Sequence, residues 1–232
     1  ILLANTKEYV VAGVGIAVVI VIAISFTSYL GQFEQVQKQD STTLTSIPIL
    51  GSESASVTII EIGDYQCEMC KRWFDQSRSH IIDNYINTGK VNMAFLDMPI
   101  LGNDSSIAAE ATYCANDQGK YWDYHVTLFE HQGEMNSGWA NNERLKSFAF
   151  NLGLDMEEFS QCLDSKRYYS HVKLNAEKSK NMGASSTPSF LIVNTSGEQK
   201  SIRGAQPYTV FEEVIVEFNG AVVSQPDALV VL

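Results

Sequence analysis

Between Tyr9 and Leu30 the chain runs YVVAGVGIAVVIVIAISFTSYL, 22 residues without a formal charge. In a helix at 1.5 Å per residue this length spans about 33 Å, matching a hydrocarbon core of roughly 30 Å. β-Branched Val and Ile do not oppose a helix there, because lipid offers backbone polar groups no partner but one another. Tyr9, Phe26 and Tyr29 stand towards the ends, where aromatic rings favour the interface. The competing form is a cleaved secretory leader, with an apolar region of about 7–15 residues and a small-residue cleavage site. This run is longer, and Ser28-Tyr29-Leu30 makes a poor site. The expectation is a single-pass anchor in the cell membrane at 9–30. A stub at 1–8 precedes it, and the bulk of the chain lies on the extracytoplasmic side. The flanking charges, Lys7 beside Glu8 and Lys38 beyond, bias the orientation only weakly.

Residues 31–47 are polar and rich in Gln, Ser and Thr, a tether that holds a folded part off the bilayer. Lys and Arg total 16 against 27 Asp and Glu, a net charge of −11. With no basic run longer than two, this balance excludes a nucleic-acid partner. A hydrophobic fraction of 45% supplies a packed core and excludes disorder for most of the chain.

Val57 to Ile62 is β-branched and apolar, the pattern of a buried strand, and Gly63-Asp64 breaks it. A helical pattern from Cys67 to Ile86 and a second strand from Val91 to Leu96 follow. Apolar residues then recur at 3–4 spacing over Ser105–Asn116, Tyr121–His131, Asn142–Leu152, Asp155–Asp164 and Tyr168–Met182. Asp155 with Glu158 three residues on is a helix start signal. Strands return at Ser189–Val193 and Gln199–Arg203 around a turn at Asn194–Gly197, before a last helix from Tyr208 to Phe218. A β-α-β unit favours parallel pairing and the final strand pair a hairpin. The predicted architecture is therefore α/β, with one mixed sheet whose halves, 48–102 and 183–219, flank a helical insert at 103–182. A tail at 220–232 ends in the apolar Ala228-Leu229-Val230-Val231-Leu232.

The four cysteines are Cys67, Cys70, Cys114 and Cys162. An even number in an external domain favours disulfides, and four allow three pairings. In Cys67-Glu68-Met69-Cys70 the first sulfur falls at a helix N-terminus, where free backbone N–H groups and the dipole favour a thiolate. A thiolate attacks disulfides, and a second cysteine three residues on can release the mixed disulfide. Such chemistry needs no cofactor, because the sulfurs carry the electrons. A zinc site would need a second Cys pair or convergent histidines, whereas His80, His125, His131 and His171 are scattered. Cys114 and Cys162, 48 positions apart in two predicted helices, read as a structural disulfide, with two buried thiols as the alternative.

Four stretches together carry a family resemblance. They are Ile49-Leu50-Gly51 through Ser56–Glu61 to Asp64-Tyr65-Gln66-Cys67-Glu68-Met69-Cys70; Asp117-Gln118-Gly119-Lys120-Tyr121-Trp122-Asp123-Tyr124-His125 with Leu128-Phe129; Phe159 with Cys162-Leu163; and Gly183-Ala184-Ser185-Ser186-Thr187-Pro188-Ser189-Phe190. In this order, over about residues 48–219, they resemble the DsbA-like thiol–disulfide oxidoreductases of the thioredoxin superfamily. The resemblance implies a thioredoxin-like fold with an inserted helical domain. It also implies a cis peptide before Pro188 near the sulfurs, a physically accessible state for X–Pro. Thr187 would then offer backbone groups to a substrate segment. Glu61, six residues before Cys67, would lie beneath the cysteine pair and take a proton from Cys70; a solvent-facing strand residue is the alternative. The chain departs from the family at Glu68-Met69, where Pro or His is frequent, at Ile62-Gly63 and at Ser186. The carboxylate of Glu68 disfavours a thiolate at Cys67 while Lys71 and Arg72 favour it, so the direction of exchange stays open.

The expected function is a membrane-anchored, extracytoplasmic thiol–disulfide oxidoreductase. Cys67 exchanges with cysteine-containing client proteins, Cys70 resolves, and an integral-membrane redox partner resets the pair. Two alternatives use the same residues differently. Cys67, Met69 and Cys70 are soft donors suited to copper, and the fold could serve as a non-catalytic subunit of a membrane complex. Asn103-Asp104-Ser105 and Asn194-Thr195-Ser196 match the N-glycosylation pattern, which fits an external location.

Overall fold

The computed structural model describes residues 47–223, with side chains to residue 220. The expected anchor at 9–30, its stub, the tether up to residue 46 and the apolar end at 228–232 lie outside the described residues. Among the described residues no helix is long and apolar enough to cross a membrane.

A two-residue strand, β1 (Ile49–Leu50), opens the fold. The uninterrupted apolar run then forms β2 (Val57–Gly63), and its lack of polar alternation suits a strand covered on both faces. β2 pairs in parallel with β3 (Val91–Asp97), in register from Val57 opposite Val91 to Gly63 opposite Asp97. Parallel neighbours need a crossover, and α1 (68–86) supplies it. This helix begins as Glu68–Trp73 and passes through π-helical stretches at Phe74–Arg78 and Ile82–Ile86. The short β1 joins the far side of β3 antiparallel, Ile49 opposite Ala94 and Leu50 opposite Met93. Two residues are too few for any periodic signal.

The insert follows as α2 (Asn103–Asn116), α3 (Tyr121–Glu130), α4 (Asn142–Asn151), α5 (Met156–Asp164) and α6 (Tyr169–Asn181). Helix α2 starts two residues earlier than the apolar spacing indicates. At the start of α5, Asp155 accepts the backbone N–H groups of Glu157 and Glu158 at 2.9 and 3.0 Å, satisfying two of the first-turn donors. The chain returns to the sheet as β4 (Ser189–Asn194), antiparallel to β2, and β5 (Gln199–Arg203), antiparallel to β4. It closes on α7 (Tyr208–Val223). The last helix therefore runs beyond Phe218, past the expected tail boundary at 220. The sheet order is β1-β3-β2-β4-β5.

The β4–β5 turn is held by its own first residue. Asn194 Oδ1 accepts the N–H groups of Ser196 and Glu198, each at 3.0 Å, and its amide donates to the Glu198 carboxylate at 2.6 Å. Only 5% exposed, Asn194 is engaged in holding the turn. Gly197 follows with φ +82°, a backbone state open to glycine at no steric cost.

Two cores result. On one face of the sheet, Val57, Ile59, Val91, Met93, Phe190 and Ile192 pack with Trp73 and Ile81 of α1 and with Phe211 and Ile215 of α7. The second core lies within the insert and reaches the start of α1 through Tyr65, Cys67 and Cys70. A buried polar knot ties insert to sheet. Tyr113 of α2 donates to Asp97 Oδ2 at 2.9 Å, and Asn175 of α6 donates to the same oxygen at 2.9 Å. Burial holds the Asp97 carboxyl up at about 6 against these bonds.

Candidate active site

The turn after β2 is built by Asp64. One carboxylate oxygen accepts the Gln66 N–H at 2.8 Å; the other accepts Ile100 and Leu101 N–H at 2.8 and 3.0 Å. Satisfying three donors of two loops at once fixes the approach to α1. Cys67 N–H closes the turn on the Asp64 carbonyl at 3.0 Å. This leaves Cys67 as the N-cap of α1 in an extended conformation. Two amides of the insert loop clamp the same turn. Gln132 donates to the carbonyls of Tyr65 and Cys67 at 2.6 and 3.2 Å, and Asn136 N–H donates to Gln66 Oε1 at 2.6 Å.

At the helix start the Sγ of Cys67 accepts Cys70 N–H at 3.4 Å and lies 3.4 Å from the Thr187 carbonyl. The Thr187–Pro188 peptide is cis. Cys67, Cys70, Thr187 and Pro188 thus gather at one place from segments over 100 residues apart. Both Cys67 and Cys70 are free thiols. The Cys67 thiol is pulled down from 9.0 to about 6. The hydrogen bond from the Cys70 side chain is the largest cause, aided by Thr187 and the N–H groups of Cys70 and Met69, and burial opposes it. Cys70 goes the other way, well above 9.0, chiefly because it is buried and then because it donates to Cys67. One thiol is ready to ionise at neutral pH and the other holds its proton. Cys67 is 7% exposed, whereas Cys70 is fully enclosed.

Glu61 lies in β2 on the interior side, only 1% exposed, with Phe95 and Phe190 as its strand neighbours. Burial pushes its carboxyl up to about 8; the Arg78 charge works against this and Cys67 with it. Charge on Glu61 in turn raises Cys70, so the two groups feel each other. The solvent-facing alternative for Glu61 is thereby set aside.

One more enclosed residue, Arg78, has no signal in the helical spacing. Trp73, Ser77 and Ile81 mark the inner face of α1, and Arg78 stands beside them, 7% exposed. His125 of α3 is fully buried, its Nδ1 2.9 Å from the Tyr65 hydroxyl. Burial first, then the Arg78 charge, keeps it neutral well below its ordinary range. A lone histidine in a helical stretch gives no such indication from sequence.

Cys114 of α2 and Cys162 of α5 form a disulfide with Cα atoms 5.8 Å apart, within the insert and apart from the Cys67–Cys70 turn. Among the described residues no group of three or more His, Cys, Asp or Glu side chains is disposed to hold a metal ion. Met69 is 36% exposed while Cys70 is enclosed, so the three soft donors of the copper alternative divide between surface and interior.

A family model described as thioredoxin matches residues 42–214. The chain is 28% identical over 171 residues to disulfide bond formation protein D of Bacillus subtilis, covering 72% of this chain and 75% of that one. The crystal structure of oxidised BdbD from Bacillus subtilis superimposes with a TM-score of 0.70 at 26% identity, over 76% of this chain and 95% of that one. A Wolbachia pipientis protein, alpha-DsbA1, shares the fold with a TM-score of 0.69 at 21% identity, over 78% and 97% of the two chains.

Proposed function

The chain belongs to the thioredoxin family and is a thiol–disulfide oxidoreductase of DsbA-like fold with a helical insertion; on that premise we propose that it works extracytoplasmically, anchored to the membrane through residues 9–30. Its cysteine-containing clients exchange disulfides with Cys67, Cys70 resolves the mixed disulfide, and an integral-membrane redox partner resets the pair. Thr187 and Pro188 border the client's path to Cys67, and Glu61 takes and returns the proton of Cys70.

The observation that carries the reading is the divergence of two thiols three residues apart. Cys67 ionises near pH 6 at a helix N-terminus while Cys70 stays protonated and enclosed. An attacking thiol needs its thiolate at ambient pH, and a resolving thiol needs to wait until the mixed disulfide forms. The uncharged run at 9–30, long enough to span a bilayer, supports the anchor. The disulfide in the insert favours an oxidising compartment.

A Cys70→Ser variant tests the exchange role, since it removes the resolving sulfur and should accumulate client mixed disulfides on Cys67. Absence of such adducts, with no oxidation or reduction of a dithiol peptide by the native chain, refutes it. Carbonate-resistant membrane association that is lost on deleting 9–30, together with labelling of Cys67 by a membrane-impermeant maleimide in intact cells, tests the location.

A further inference from the structure

Neither carboxyl oxygen of Glu61 has a hydrogen-bond partner among the described residues. An enclosed carboxyl in that condition is costly, and more so once ionised. A cation stands close by without touching it. The Arg78 guanidinium is stacked against two rings, its carbon 5.1 Å from the Phe74 centroid on α1 and 5.9 Å from the Trp122 centroid on α3. Its Nε also lacks a partner, and no ion pair among the described residues includes it. Aromatic faces can hold a guanidinium in a dry place. Here they hold it in the interval between sheet, α1 and the helical insert.

The other titratable groups around this interval are accounted for. Helix α1 presents Cys67, Cys70 and Arg78; the turn presents Tyr65; α3 presents His125 and Tyr121; the end of β3 presents Asp97. From β4 and α7 come the aromatic rings of Phe190 and Phe211. Tyr65 and Tyr121 are held far above neutrality, and His125 far below its usual range, each chiefly by burial. Arg78 is therefore the one enduring positive charge among the groups named here.

We propose that Arg78 is a positioning residue of the exchange reaction, an internal cation held off by Phe74 and Trp122 so that Glu61 can be ionised without being locked as a permanent carboxylate. The inference rests on the reading of Glu61 as the proton acceptor for Cys70. In the mixed disulfide, the Cys70 thiol gives its proton to the Glu61 carboxylate, and the resulting thiolate attacks Cys67 Sγ. A sulfur–sulfur bond forms between Cys67 and Cys70 and the bond to the client sulfur breaks. The client sulfur departs with the electron pair and takes a proton from solvent. Cys67 and Cys70 are oxidised and the client is reduced; in the opposite direction Glu61 returns the proton to Cys70. A direct guanidinium–carboxylate contact would favour the ionised acid throughout. A stacked cation at longer range lowers the cost of ionisation while leaving the proton exchangeable.

The test uses the full chain with Arg78→Met, which keeps the stem and drops the charge, and Arg78→Gln as a second neutral variant should the first not fold. Glu61 titration is read as the carbonyl stretch of its protonated acid in infrared difference spectra, identified by its loss in Glu61→Gln. Resolution of a Cys67–glutathione mixed disulfide is timed across pH. Either neutral variant should raise the Glu61 midpoint by about one pH unit and slow resolution at pH 7 by about tenfold, with recovery at higher pH. Arg78→Lys, which keeps the charge, should restore most of the rate. An unmoved midpoint, with Glu61→Gln itself slow to resolve, overturns the role of Arg78 alone. A midpoint that moves while the resolution rate does not overturns the proton-acceptor reading of Glu61, and this inference with it.

Discussion

The sulfur of Cys67 accepts the backbone N–H of Cys70 at 3.4 Å, so the first cysteine of the pair caps the helix that carries the second. An N-cap side chain satisfies a donor that the helix cannot. When that side chain is a thiol, the same donor and the dipole end stabilise its anion. Capping and activation are one interaction here.

Alkylation of Cys67 by iodoacetamide should therefore titrate with a midpoint near 6. Cys70, raised by burial, should react far more slowly across the neutral range. A Cys67 midpoint near the ordinary thiol value of 9.0 contradicts this geometry. The linkage to stability has a definite sign. The folded value lies below the ordinary 9.0, so the contribution is complete above that value and is lost as pH falls through about 6. In denaturant titrations, the stability gap between the reduced protein and Cys67→Ser should narrow over that interval on acidification.

Glu61 acts with the opposite sign. Its folded value of about 8 lies above the ordinary 4.5, so the favourable contribution of the neutral acid is present below 4.5 and is lost as pH rises through 8. Glu61→Gln keeps the shape and cannot ionise. Relative to the native chain it should gain on the order of 3 kcal/mol by pH 7, with little difference near pH 4. Urea midpoints across pH check this; parallel curves for the two proteins would rule it out. Asp97, also raised, is common to both and cancels in the difference.

Gly63 ends β2 against the Phe95 ring. A Cβ built there would lie 2.5 Å from a ring carbon of Phe95 and 3.5 Å from Glu61 Oε1. Phe95 is fully enclosed, so it cannot turn aside freely. Gly63→Ala should cost about 1–3 kcal/mol in chemical denaturation; a cost below the resolution of the measurement would mean that the ring yields.

Removing the insert disulfide should be a stability event and not a chemical one. Cys114 and Cys162 close a loop with a sequence separation of 48, a stabilisation of about 4 kcal/mol in the chain-entropy model. The Cys114→Ala/Cys162→Ala protein should lose stability on that scale and retain exchange activity per folded molecule, measured with a dithiol peptide. A fall in exchange activity per folded molecule would instead place this pair in the reaction.

Much of this protein is legible residue by residue. The apolar run Val57–Ile62 is a strand because alternation is missing, and the Cys67–Cys70 spacing puts a thiol on a helix N-terminus wherever such a strand-turn-helix occurs. The order of elements then determines parallel pairing of β2 with β3 and an insert between the two halves of the sheet. Local chemistry suffices for these conclusions, since propensity, capping and periodicity act over a few residues. Tertiary structure alone decided the rest. It brought Thr187 to the Cys67 sulfur from across the insert, and closed Cys114 on Cys162 where spacing left two possibilities. It also added β1 as a two-residue edge. Above all it enclosed Glu61, Arg78 and His125, and left both carboxyl oxygens of Glu61 without a hydrogen-bond partner among the described residues. Burial and field depend on what packs against a side chain from distant segments, and no window along the chain contains that information.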